Sequence, residues 1–191
     1  EILDLGIAQN IIQGLQQYQV SNIIAEVKDY VFINNHDPRL FEGFSMGNPR
    51  IQTGNLLVHL KESPTSILIE AEESKIPEIK NMLTHFYADH IEHRRWGAPF
   101  PVIEIVKLGI NKARGIEQVR QFLNIDRNNI IAFGDEDNDI EMIEYARHGV
   151  AMENGLQELK DVANNITFNN NEDGIGRYLN DFFNLNIRYY C

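Results

Sequence analysis

Residues 130–134 read Ile-Ile-Ala-Phe-Gly, an unbroken apolar run, and four carboxylates, Asp135, Glu136, Asp137 and Asp139, follow at once. A short continuous apolar run ended in this way fits a strand buried on both faces, the usual setting of a strand in a parallel sheet. Parallel neighbours need crossover connections, so helices must flank it. The chain after Lys107 agrees: helices over 112–123, 138–146, 156–163 and 174–183 alternate with strands at 130–134, 149–152 and 166–168. Acids just past the carboxyl end of such a strand stand where open α/β sheets build their sites.

Before Lys107 the pattern differs. Ile7, Ile11, Ile12 and Leu15 recur at helical spacing and predict a helix over 7–18; a second is predicted over 75–87. Short strands are predicted at 23–27, 30–34, 66–71, 90–95 and 101–106, and the Gly-, Pro- and Asn-rich stretch between Asn35 and Asn55 reads as irregular loop with one turn of helix. Such strands and tight connections favour a small antiparallel sheet backed by helices. The class is therefore α/β, in two unlike parts, 1–107 with a small antiparallel sheet and 108–191 with a Rossmann-like parallel sheet.

Charge and cysteine usage exclude several functions. With 28 acidic against 17 basic residues the formal charge is −11, which repels a phosphate backbone, so nucleic acid is not an expected partner. No stretch approaches the roughly 20 apolar residues that cross a bilayer, so no membrane partner is expected. The only cysteine, Cys191, permits no intramolecular disulfide, and no secretory signal opens the chain; a reducing, cytoplasmic location fits both. The chain opens on Glu1 in what reads as the middle of an amphipathic helix, so it reads as a fragment.

Four carboxylates so close together repel, and a cation would offset the repulsion; oxygen ligands of this kind suit Mg²⁺. A solvated acidic helix start is the alternative, since the helix dipole favours acids there. A calcium loop counted from Asp135 would need Gly and Glu where Ile140 and Ala146 stand. His85, His90 and His93 do not share one helical face, which disfavours a transition-metal site. Within HRRWGAPFP, Arg94, Arg95 and Trp96 suit contact with the anionic or ring portion of a substrate, and equally suit ordinary surface packing. Asn154 lines the same sheet edge or serves as a turn residue before Gly155. Met46, Met82, Met142 and Met152 read as core or loop packing.

Four motifs occur in order within residues 109–179: Asn-Lys-Ala around Lys112, GDEDND with Asp135, Asn138 and Asp139, then GVAMEN, then NEDG at 171–174. Together they resemble the C-terminal half of the core of the haloacid dehalogenase superfamily, specifically its Cof-type capped phosphatases. The resemblance implies that 1–107 is an α/β cap that selects substrate and that 108–191 is half of a Rossmann-like core. It implies hydrolysis of small phosphomonoesters such as sugar phosphates, with Mg²⁺, through a phosphoaspartate. Lys112 becomes the cation holding the substrate phosphate, Asn138 a contact to it, and Asn154, Arg94 and Trp96 further candidate substrate contacts. Asp135 becomes the direct Mg²⁺ ligand and Asp139 the metal-site acid that orients metal-bound water or Lys112.

The family's attacking aspartate, in an Asp-x-Asp pattern followed by Gly after an apolar strand, has no counterpart here. The only such spacings, 135/137 and 137/139, lie inside the metal motif. Without a nucleophile the chain alone is expected to be inactive. The segment carrying it, roughly 80 residues in such a protein, is expected to be missing, leaving 130–134 as an open sheet edge for that segment or a second copy to cover. The alternative is a noncatalytic remnant or a phosphate-binding regulatory protein.

Overall fold

The computed structural model describes residues 1–38, 49–96 and 101–187. Residues 39–48 of the 35–55 stretch, with Met46 among them, positions 97–100 of HRRWGAPFP and Cys191 lie outside them. The chain divides into two compact units, Glu1–Ile110 and Asn111–Cys191.

The first unit opens with α1 (Leu5–Leu15), capped by Asp4, whose carboxylate accepts a 3.0 Å hydrogen bond from the Ile7 amide. Ala8, Ile11, Ile12 and Leu15 form its buried face. There follow β1 (Asn22–Val27), β2 (Tyr30–Ile33), β3 (Arg50–Thr53), α2 (Leu56–His59), β4 (Ser66–Glu70), α3 (Ile76–Tyr87), β5 (Ile91–Arg95) and β6 (Val102–Lys107). The six strands form one sheet in the order β3-β2-β1-β4-β6-β5. Every pairing is antiparallel except β2 with β3, which is parallel. The expected small antiparallel sheet is thus a larger, mixed one. The added strand, Arg-Ile-Gln-Thr, is exposed throughout and lacks the apolar alternation that reveals a half-buried strand.

Alternation along the inner strands builds two layers. Ile23, Ala25, Val27, Ile67, Ile69, Ile103 and Ile105 point toward the three helices and join their apolar faces in the main core. From the opposite face Ile24, Ile33, Leu68 and Val102 form a second buried cluster, with Val31 and Trp96 packed on it.

The second unit alternates helix and strand as expected: α4 (Lys112–Leu123), β7 (Ile131–Gly134), α5 (Ile140–Tyr145), β8 (His148–Met152), α6 (Gln157–Val162), β9 (Asn165–Thr167) and α7 (Gly174–Phe183). The sheet runs β7-β8-β9, all parallel. Among the described residues β7 pairs only with β8, so its other side is an open edge. The core is small: Ala132, Ile143, Ala146, Ala151 and Leu159. β8 passes so near α5 that a Cβ on Gly149 would stand 2.2 Å from the Ile143 carbonyl oxygen, a contact only glycine permits. No residue of α4 is buried, and its Val119, Phe122 and Leu123 are exposed.

Candidate active site

The site grows from the end of β7. After Gly134 the chain doubles back in a tight turn of 3-10 helix at Asp137–Asp139, which delays α5 to Ile140. A Cβ on Gly134 would lie 2.5 Å from the Cβ of Asp139, so glycine is what lets the aspartate fold beneath the strand end. There Asp139 is 4% exposed. Its Oδ2 accepts from the amides of Asp135 at 3.0 Å and Glu136 at 3.3 Å, and its Oδ1 accepts from Lys112 Nζ at 2.5 Å. A buried carboxylate is tolerated when it is both paired and hydrogen-bonded, and Asp139 is both.

Lys112 is the first residue of α4, where the helix dipole opposes a cation. Two acceptors offset that: Asp139, and Asn138 Oδ1 at 3.0 Å. An ammonium has three N–H donors, and among the described residues two of Lys112's are used in this way. The side chain remains 48% exposed, so the remaining donor can meet a ligand from solvent.

Asp135 stands beside this pair, half-buried, directly after the strand. Its Oδ2 accepts from Asn154 Nδ2 at 3.2 Å, and Asn154 Oδ1 in turn accepts from the Asn170 amide at 3.3 Å. The Leu156 amide donates to the Asp135 carbonyl at 2.9 Å, across a gap so narrow that a Cβ on Gly155 would be 3.0 Å from Asp135 Cα. Asn154 therefore braces Asp135 and ties it to the turn that opens the NEDG segment. Lys112, Asp135, Asn138, Asp139 and Asn154 thus gather at the carboxyl ends of β7 and β8, the edge where a parallel sheet places its chemistry. Asn170 belongs with them; as one of a run of asparagines in a turn, it carried no signal of its own.

Among the described residues no group of three His, Cys, Asp or Glu side chains stands close enough to hold a metal ion. Mg²⁺ does not require one, because it keeps several waters and commonly takes one or two carboxylates plus phosphate oxygens. Asp135 fits such a role as one ligand. Asp139, with both oxygens engaged by Lys112 and the turn amides, fits that of an orienting acid.

Arg94 and Trp96 belong to the first unit. Arg94 lies 4.0 Å from Glu92, and the Trp96 indole N–H donates to Glu104 at 3.3 Å, both on the sheet face opposite the helices. The histidines have separate surroundings: His93 Nε2 lies 2.9 Å from Thr84 Oγ1, and the His85 ring meets Phe86 edge-on. Burial, with a lesser push from Lys80, holds the His93 imidazole below its ordinary value. Sequence reading also passed over a cluster in the second unit. Glu117 accepts from Tyr145 Oη and from two N–H groups of Arg120, and these bonds, led by Arg120, hold its carboxyl down at about 2.

Comparison with known proteins shows the family of the chain. The family model for haloacid dehalogenase-like hydrolases matches residues 2–179. The chain is 43% identical over 183 residues to the 5-amino-6-(5-phospho-D-ribitylamino)uracil phosphatase YitU of Bacillus subtilis, which covers 96% of this chain and 68% of that protein. It is 44% identical over 75 residues to a second B. subtilis protein of that name, YcsE, covering 39% of this chain and 30% of the other. Its backbone matches the crystal structure of a haloacid dehalogenase-like hydrolase from Bacteroides thetaiotaomicron with a TM-score of 0.81 at 24% identity, over 95% of this chain and 68% of that one. The chain therefore spans about two thirds of YitU and less than a third of YcsE. With a family match over nearly its whole length, and residues from three of the motifs gathered at one sheet edge, the chain belongs to the haloacid dehalogenase-like hydrolases.

Proposed function

We propose that this chain forms the substrate-selecting unit and half of the catalytic core of a Mg²⁺-dependent phosphatase of small phosphomonoesters. The first candidate substrate is 5-amino-6-(5-phospho-D-ribitylamino)uracil, because a phosphatase named for that compound is 43% identical along 96% of the chain. The observation that carries the reading is the seating of Lys112 between Asp139 and Asn138, beside the braced carboxylate of Asp135.

Each residue then has a task. The uncommitted N–H of Lys112 donates to a phosphoryl oxygen, and its charge offsets the negative charge that phosphoryl transfer concentrates there. Asp139 holds that ammonium in place, with its own position set by the Asp135 and Glu136 amides. Asn138 shares the ammonium and stands on the same turn as a contact to the phosphate region. Asn154 keeps the Asp135 carboxylate oriented toward the metal. Mg²⁺, when bound through Asp135, supplies charge neutralisation at the phosphoryl oxygens.

The attacking group is not in this sequence. It is an aspartate on a further segment that pairs along the open side of β7; its carboxylate attacks phosphorus and displaces the ester's alcohol, and water then hydrolyses the phosphoaspartate to inorganic phosphate and the free aspartate. Residues 1–107 discriminate among substrates, with Arg94 and Trp96 as candidate contacts to the part of the molecule beyond its phosphate. A reducing, cytoplasmic location agrees with the single cysteine.

The test is phosphate release by the product of the whole reading frame across a panel of phosphomonoesters, with and without chelator. The reading predicts chelator-sensitive turnover, highest on the ribitylaminouracil phosphate or a sugar phosphate. Binding of phosphate esters without turnover would favour a regulatory binder in its place.

A further inference from the structure

α4 carries Lys112, yet packing does little to fix it. None of its residues is buried, and an open groove of about 450 Å³ lies along it, lined by Ile116, Val119, Ile125, Ile130 and Met142 among others. Polar contacts to α5 take over that work. At the first residue of α4, Lys112 holds Asp139, which directly precedes α5. Five residues further, Glu117 accepts from the hydroxyl of Tyr145, the last residue of α5.

Both ends of that second contact are themselves held. Arg120 grips the Glu117 carboxylate through Nε at 2.6 Å and a terminal nitrogen at 2.9 Å, a two-pronged geometry that fixes its plane. The Arg127 guanidinium covers the Tyr145 ring at 4.5 Å and donates through Nε to the Tyr145 carbonyl at 2.6 Å. α4 and α5 are thus joined at two points, one inside the site and one about one and a half turns away.

We propose that Glu117 and Tyr145 are positioning residues, whose hydrogen bond sets the spacing and rotation of α4 against α5 and so places the Lys112 ammonium against Asp139. Its bearing on catalysis rests on the reading of Lys112 given above. From Lys112 to Glu117 is about 7.5 Å along the helix, five residues at 1.5 Å each. Over so short a lever, a displacement at Glu117 reaches Lys112 almost undiminished. A misplacement of about 1 Å in a reacting constellation costs on the order of 100-fold in rate.

Tyr145→Phe tests this in the product of the whole reading frame, since it keeps the ring beneath Arg127 and deletes only the hydroxyl. The readout is the amide NMR signals of Asp135 and Glu136, which donate to Asp139 and report its position. The proposal predicts that both signals move while those of β9 stay, and that kcat falls about tenfold or more at unchanged KM. Glu117→Gln, which keeps an acceptor for the hydroxyl, should give a smaller change of the same kind, and serves alone if Tyr145→Phe does not fold. Lower urea resistance with unmoved Asp135 and Glu136 signals would overturn the proposal, leaving the pair a clamp for stability only. If instead those signals move but Lys112→Ala turns over normally, the positioning stands and the assigned role of Lys112 fails.

Discussion

Asp139→Asn removes one charge and one acceptor oxygen from the turn after β7 while keeping its shape. The aspartate serves three donors: the amides of Asp135 and Glu136 through one oxygen and Lys112 through the other. Asparagine has a single acceptor oxygen, so either the amides or Lys112 must face its NH₂ group, donor against donor. A hydrogen bond to a charged group contributes about 1.5–3 kcal/mol, and half-exposed Lys112 belongs at the low end because water replaces part of the loss. Weakening of the two amide bonds as their acceptor becomes neutral adds about 1 kcal/mol, giving roughly 2–3 kcal/mol in all. At 1.4 kcal/mol per factor of ten, the opening equilibrium of the turn rises about 30- to 140-fold. Native-state hydrogen exchange of the Asp135 and Glu136 amides in the whole reading-frame product measures that ratio directly, with amides of α3 in the first unit as the unchanged control. A change under threefold would refute the claim that this carboxylate holds the turn.

Other expectations follow from particular residues. Because the folded-state pKa of His93 is depressed below about 6.5, the unfolded chain binds the extra proton, so stability is full above that pH and falls as the pH drops through it. Melting temperatures between pH 7.5 and 5 should show that fall, and His93→Gln should flatten it; an unchanged slope would remove His93 as its source. Arg94→Ala and Trp96→Phe should alter preference among phosphate esters more than the rate on p-nitrophenyl phosphate, and equal losses on every substrate would indicate a structural role. The 191-residue chain made alone should release no phosphate from p-nitrophenyl phosphate above a denatured control. It should also self-associate or exchange rapidly at Ile131–Gly134, because among the described residues this apolar parallel strand is paired on one side only. Slow exchange there in a monomer would contradict it.

Where the sequence carried a periodic or continuous apolar signal, it described the fold well. α4 and α7 occupy the residues expected, 112–123 and 174–183, and β7 falls within its predicted run. β3 escaped because Arg50–Thr53 is exposed and held by backbone pairing to β2, which leaves no pattern in side chains. α2 escaped because four residues show no period. In the site, Lys112, Asp135, Asn138 and Asp139 were legible through motif order, and their hydrogen bonds were not. That Asp139 spends both oxygens on Lys112 and two amides depends on the glycine that lets it fold under the strand. The Glu117–Tyr145 bond joins residues 28 apart on different helices, a separation at which neither helical nor strand periodicity relates two side chains.

The central claim is that Lys112 and Asp135, gathered at the end of β7, serve phosphoryl transfer. It is tested most directly by kcat for phosphate release from 5-amino-6-(5-phospho-D-ribitylamino)uracil, using the product of the whole reading frame with Lys112→Ala and Asp135→Ala as separate variants. Loss of one preorganised charge at the reacting group costs about 10²- to 10³-fold, so each variant should fall by at least that much with its fold intact by circular dichroism. Folded variants that keep turnover within about threefold of the parent would contradict the account.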